Sequence, residues 1–314
     1  MTSALLAIEK LEVVYQRAIT AVQGITLAVE AGQIVALLGT NGAGKSTTLR
    51  AISGFLGLDD ARVTEGAISF KGTRIENRPP HENTRRGIVL VPERDKVFPN
   101  LTVAENLIAP VPRGTSLAEH RRREALVYQF FPRLGELKTR IGGLLSGGER
   151  QMLALASALV CRPELLLVDE LSLGLAPVVV EDLLRRLIEI RRELGITILI
   201  VEQSATVALE IADYGYVMEN GRIVLDGTAE RLRSHPDIQE FYLGSKSGER
   251  RNYRDVKQYR RSRRWYGLSS RSIASRCASA ASRSSMACRS RWRPASCSRS
   301  SARTAPARPA CSIA

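Results

Sequence analysis

Ile34-Val35-Ala36-Leu37-Leu38-Gly39-Thr40-Asn41-Gly42-Ala43-Gly44-Lys45-Ser46-Thr47 is an apolar run that passes into a glycine-rich loop and then into a helical stretch from Thr47 to Ile52. The order strand, loop, helix is what a polyphosphate cradle requires. Glycines let the backbone wrap closely around the anion with its N–H groups turned inward, and the helix start adds a field that favours negative charge. In the pattern G-x-x-x-x-G-K-[ST], Lys45 reaches the β- and γ-phosphates and the Ser46 hydroxyl sits on Mg²⁺. Taken alone, the same residues also fit a glycine-rich turn with no ligand, so the reading depends on partners elsewhere in the chain.

Two such partners lie downstream. Leu144-Leu145-Ser146-Gly147-Gly148-Glu149-Arg150-Gln151 leads into an apolar helix, Met152 to Val160. Ser146 is a plausible N-cap, and two glycines at a helix start again make room for a phosphate; in isolation the stretch is a simple loop-to-helix cap. Leu165-Leu166-Leu167-Val168-Asp169-Glu170 is an apolar run ending in two carboxylates. A strand buried on both faces of a parallel sheet reads as continuous hydrophobicity, and ligands collect at the C-terminal ends of such strands. Asp169 can then hold Mg²⁺ through water, while Glu170 can polarise an attacking water.

The remaining elements surround this centre. Leu5 to Val14, Gly24 to Val29 and Ala67 to Gly72 read as strands of an antiparallel portion beside the loop. Tyr15, just before a short basic turn, is either an aromatic that stacks on a nucleotide base or an ordinary strand-end tyrosine. Ile88 to Val91 is a short strand closed by Pro92. From Thr102 to about Arg140 the pattern is helical, with a basic amphipathic segment from His120 to Phe131 whose Arg121-Arg122-Arg123 reads as a solvated face. The helix Val178 to Leu194 carries Leu183, Leu184, Leu187 and Ile190 on one stripe and is stopped by Gly195. A buried strand, Ile196 to Val201, ends at Glu202-Gln203; a helix from Thr206 to Ala212 follows, then a hairpin turning at Asn220-Gly221. The folded body closes near Leu243.

Charge divides the chain. The 314 residues carry a net +14, but Ser245 to Ala314 hold 18 basic and 2 acidic residues, leaving 28 basic against 30 acidic in residues 1–244. The body is nearly neutral. Cysteine follows the same division, with Cys161 in the body and Cys277, Cys288, Cys297 and Cys311 beyond it, at no metal-binding spacing. The body reads as a protein of a reducing compartment, with Cys161 a small buried hydrophobe. Met1 to Lys10 does not read as a secretory signal, and no run of about 18 apolar residues reads as a membrane span. Arg250 to Gly267 is a basic extension. Residues 268–314, with 14 Ser, 11 Ala and 9 Arg and no acidic residue, have too few apolar side chains to offset ordering entropy and are expected to be disordered. Three readings fit this segment: a nucleic-acid or anionic-lipid tail, a solvated appendage, or an out-of-frame translation of a GC-rich coding region, which scattered Cys and Trp favour.

The phosphate loop, Leu-Ser-Gly-Gly-Glu-Arg-Gln and Leu-Leu-Leu-Val-Asp-Glu, in that order, resemble the ATP-binding subunits of ABC transporters over residues 5–243. Val91-Pro92-Glu93-Arg94, Ser172 to Pro177 and Val201-Glu202-Gln203 resemble the branched-chain amino acid importer subfamily, the smaller of its two ATPase types; urea and amide importers share much of these. The resemblance implies an α/β fold, a P-loop NTPase (RecA-like) core with an antiparallel β subdomain and an inserted helical subdomain at roughly 97–160, within an ATP-binding domain of residues 1–244. It implies Mg²⁺-dependent hydrolysis of ATP that powers uptake of branched-chain or related amino acids. Tyr15 would stack on adenine; Gly39, Asn41, Gly42, Gly44, Lys45, Ser46 and Thr47 would cradle the nucleotide; Ser46, Glu93 and Asp169 would serve the metal. Glu170 would be the general base, with Lys45 and Gln203 acting on the γ-phosphate. Ser146, Gly147 and Gly148 would complete the site of a second ATPase subunit, a non-identical paralogue, in a head-to-tail dimer. Two permease subunits, a solute-binding protein and a peripheral place on the cytoplasmic face of the membrane are further implied. A nucleic-acid partner is not expected, since such ABC ATPases favour tandem cassettes or a long coiled-coil insertion. The chain departs from the family pattern at three positions: Leu171 replaces the proline after the catalytic glutamate, Gln203 stands in place of the switch histidine, and Glu93 in place of a glutamine. A weakly hydrolysing partner of another ATPase is the alternative these departures keep open.

Overall fold

The computed structural model describes residues 4–93, 96–112 and 114–241; the basic extension and the serine- and arginine-rich segment lie outside them. The strands are β1 (Leu6–Tyr15), β2 (Ile19–Val29), β3 (Ile34–Gly39), β4 (Ala61–Phe70), β5 (Thr73–Arg74), β6 (Ile88–Val91), β7 (Leu165–Asp169), β8 (Thr197–Glu202), β9 (Tyr214–Glu219) and β10 (Arg222–Thr228). The helices are α1 (Lys45–Ser53), α2 (Pro80–Arg85), α3 (Val103–Ile108), α4 (Leu117–Phe130), α5 (Pro132–Glu136), α6 (Gly147–Val160), α7 (Pro177–Leu194), α8 (Ala205–Ile211), α9 (Ala229–Arg233) and α10 (Pro236–Phe241).

Two sheets form. One has the order β2-β1-β4-β5 and is antiparallel; the other has the order β10-β9-β3-β8-β7-β6 and is parallel except for the β9–β10 hairpin. Every residue of β3, β7 and β8 is buried, because helices cover one face of this sheet and the antiparallel sheet with α1 covers the other. Pleating sends alternate side chains to opposite cores: Ile34, Ala36 and Leu38 join the layer under α6, α7 and α8, while Val35 and Leu37 join the layer under β1, β2, β4 and α1. Each such leucine or isoleucine contributes roughly 1.5–3 kcal/mol by leaving water.

Local chemistry explains the boundaries. α7 begins at Pro177, whose missing N–H costs nothing at a first turn, and ends where Gly195 adopts φ +65° and returns its N–H to the Arg191 carbonyl. Between these, Val180, Leu183, Leu184, Leu187 and Ile190 face the core. At the β9–β10 turn Asn220 and Gly221 both take positive φ, +47° and +77°, as a two-residue hairpin requires. The Gly221 N–H donates to the Ala43 carbonyl at 2.9 Å, so the hairpin tip braces the glycine-rich loop.

The structure extends two strands beyond their apolar stretches. β2 begins at Ile19 rather than Gly24, and β4 at Ala61 rather than Ala67. The added halves pair with the end of β1 across irregular register near Leu11 and Glu12, and those shifts blur the alternation that marks a regular strand. The long helical region divides into α3, α4 and α5, with Pro132 opening the last. Helix α2, a single short turn entered at Pro80, has no apolar periodicity to announce it. Along α4, Arg121 and Arg122 are exposed, whereas Arg123 is half-buried against Glu119 and the Val160 carbonyl.

Candidate functional site

The C-terminal ends of β3 and β7 open on a polar cavity of about 620 Å³, lined by the glycine-rich loop, Ala21, Glu93, Glu170 and Leu173. That volume suits a ligand of nucleotide size. Its floor is the loop. A Cβ at Gly39 would lie 2.4 Å from the Met218 carbonyl oxygen of β9, and one at Gly44, which has φ +102°, would lie 2.8 Å from the Ala21 carbonyl. Glycine is needed at both, and Gly44 caps α1 so that the first amides of this helix face the cavity.

Lys45 is 4% exposed. Its ammonium donates to the carbonyls of Gly39 at 2.9 Å and Thr40 at 3.2 Å, and lies 3.6 Å from the Glu170 carboxylate. A cation so confined can meet only what enters the loop. The Ser46 hydroxyl donates to Asp169 Oδ1 at 3.1 Å, which ties the end of β7 to the start of α1. Tyr15, at the end of β1, brings its hydroxyl within 3.2 Å of Thr47 Oγ1, next to the loop, though it is not among the residues lining the cavity.

Three carboxylates gather here. Burial pushes Asp169 up to about 6; the Ser46 hydrogen bond opposes this, Glu170 and Glu93 reinforce it, and Lys45 opposes it. The three face the ammoniums of Lys45 and Lys96, the latter within electrostatic reach of Glu93 and Asp169; such a concentration of carboxylate charge favours a divalent cation. Mg²⁺ commonly takes one or two protein oxygens and completes its shell with water and substrate phosphates. Ser46 Oγ and Asp169 Oδ1 fit that requirement, and among the described residues no group of three or more acidic, histidine or cysteine side chains forms a cage of its own.

Glu170 adopts φ +46°, a left-handed conformation that is costly for a side-chain-bearing residue and concentrated at functional sites. Its N–H donates to the Val201 carbonyl at 2.9 Å, and the next side chain, Leu171, is completely buried. Gln203 is exposed immediately after β8 and is not part of the cavity wall. Ser146, Gly147 and Gly148 are likewise elsewhere, at the start of α6. There Ser146 accepts from the Glu149 N–H at 3.3 Å while Glu149 accepts from the Ser146 N–H at 2.9 Å, a capping box. The Ser146 side chain is exposed, and neither it nor Gly147 or Gly148 lines the cavity around the chain's own loop.

Sequence reading passed over Glu202 and Ser172. Glu202 is 1% exposed and receives both donors of Ser172. The signal was a carboxylate closing an otherwise apolar strand, a residue type that is buried only when something holds it.

A profile of the ABC transporter family matches residues 22–172. The chain is 40% identical to the high-affinity branched-chain amino acid transport ATP-binding protein BraG of Pseudomonas aeruginosa, over 76% of this chain and 100% of that one. It is also 40% identical to the probable branched-chain amino acid transport ATP-binding protein LivF of Archaeoglobus fulgidus, over 69% and 89% respectively. The lipopolysaccharide export system ATP-binding protein LptB of Haemophilus influenzae is 32% identical, over 71% and 90%. Among solved structures, the ADP conformation of MJ1267, an ATP-binding cassette of an ABC transporter, superposes with a TM-score of 0.67 at 30% identity, covering 78% of this chain and 100% of that one. With its phosphate loop, its carboxylate-tipped strand and relatives matched over 89% to 100% of their own length, the chain belongs to the ABC transporter family as one of its ATP-binding ATPase subunits.

Proposed function

We propose that this chain hydrolyses Mg²⁺-ATP to drive an importer of branched-chain or related amino acids. It would work from the cytoplasmic face of the membrane with two permease subunits and a solute-binding protein. The observation that carries the catalytic part is that Lys45, Ser46 and Glu170 line one nucleotide-sized cavity, with Asp169 hydrogen-bonded to Ser46 beside it.

Loop amides and Lys45 bind the β- and γ-phosphates, and the face of Tyr15 meets the adenine. Ser46 and Asp169, with Glu93 nearby, would hold Mg²⁺, which would supply charge neutralisation for the phosphates. Glu170 accepts the proton of the attacking water, and Gln203 donates a hydrogen bond toward the γ-phosphate. Such phosphoryl transfer is mostly positioning and electrostatic stabilisation. Ser146, Gly147 and Gly148 serve the site of a second ATPase subunit, a non-identical paralogue set head-to-tail; supporting this, Ser146 is exposed and none of the three lines the cavity of the chain's own loop.

Support for the transported class is the 40% identity to branched-chain amino acid proteins of a bacterium and an archaeon, against 32% to a lipopolysaccharide exporter. Among the described residues no helix is long and apolar enough to cross a membrane, and attachment is assigned to the permease. Glu170→Gln should bind Mg²⁺-ATP with wild-type affinity and lose turnover; wild-type turnover in that variant removes Glu170 from the base role. Uptake of labelled leucine, compared with labelled urea, in cells with and without the chain tests the solute class. Loss of urea uptake alone would overturn it.

A further inference from the structure

A buried carboxylate stands one strand away from the nucleotide loop and takes no part in the chemistry above. Glu202 is the last residue of β8, which lies between β3 and β7, so it emerges between the loop and Asp169-Glu170. It is 1% exposed. Its oxygens are engaged by the turn that follows β7: the Ser172 N–H donates to Oε1 at 3.0 Å, the Ser172 hydroxyl to Oε2 at 2.7 Å, and the Leu171 N–H also donates to this carboxylate.

The turn it grips needs holding. Glu170 has φ +46°, and the following residue is Leu171, with none of the φ restriction a proline ring would impose. Three consecutive residues are instead each anchored, Leu171 and Ser172 sharing Glu202. The Glu170 N–H is tied to the Val201 carbonyl, the Leu171 side chain is sunk in the core, and Ser172 is held at two points by Glu202. Two of these anchors come from the end of β8. A buried carboxylate without a cation beside it is costly to fold, which points to a role in geometry rather than in stability. We infer that Glu202 is a positioning residue that acts through Ser172 to fix the turn aiming Glu170 into the nucleotide cavity. This rests on Glu170 being the general base.

The test uses the full chain, with steady-state Mg²⁺-ATP hydrolysis and equilibrium binding of ATP measured on the same samples. Glu202→Ala should lower kcat about tenfold and Ser172→Ala, which keeps the N–H bonds to Glu202, by less but measurably, each leaving the ATP Kd within about twofold, and the double variant should fall no further than Glu202→Ala, as residues acting as a unit do. Ser172→Thr keeps the hydroxyl and should recover most of the loss. Glu202→Gln should do the same, because its carbonyl can accept from the Ser172 N–H while its amide donates to Ser172 Oγ. Wild-type kcat in Ser172→Ala, parallel losses of kcat and affinity, or multiplicative losses in the double variant would each overturn the inference. Glu170→Gln run beside them separates the two levels. If it still turns over, the base assignment fails and the inference with it; if it is inactive while Ser172→Ala has wild-type kcat, only the inference fails.

Discussion

Asp169 shows how a single residue records the ligand it awaits. With a folded pKa of about 6 against an ordinary 3.8, the folded chain binds more protons than the unfolded one between those limits. Its stability therefore falls as pH rises through that window and stays lowered above it. Asp169→Asn removes the titration yet can still accept from Ser46. Urea unfolding without nucleotide or Mg²⁺ should find this variant more stable than wild type above about pH 6, by on the order of 2 kcal/mol, with the difference gone below about pH 4. A difference independent of pH would contradict the buried-charge account. The phosphate loop and Asp169-Glu170 were legible in sequence because each is a contiguous pattern with one chemical use. The Glu202–Ser172 pair was not, since its members are 30 residues apart and meet only after β7 and β8 have paired.

At the scale of elements, burial divides the chain into parts that hold the site and parts that shape it. α7 was readable to its ends, because its apolar stripe, Pro177 and Gly195 agree. Leu187, wholly buried on that stripe, touches the sheet side and not the cavity wall. Leu187→Ala should cost about 2–5 kcal/mol of unfolding free energy and leave the ATP Kd at its wild-type value. A weakened Kd measured below the unfolding transition would mean that α7 reaches the loop. β2 and β4 were read only in their regular halves, because the register shifts near Leu11 and Glu12 interrupt the two-residue period on which strand reading depends.

For the whole molecule, the central claim is that one chain supplies half of each catalytic site. Its loop and Glu170 line one cavity with Asp169 hydrogen-bonded to Ser46 beside it, while Ser146, exposed at the capped start of α6, is outside that lining. This separation could not be read from spacing, since order along the chain does not say which way a helix start points. Ser146→Asp tests the claim most directly, because aspartate caps a helix as well as serine does but sets a negative charge against any phosphate it meets. The account predicts that this variant of the full chain keeps its ATP Kd within about twofold while turnover drops at least about 100-fold, the scale of losing a transition-state contact and adding repulsion. Wild-type turnover, or a loss of affinity that matches the loss of turnover, would contradict it.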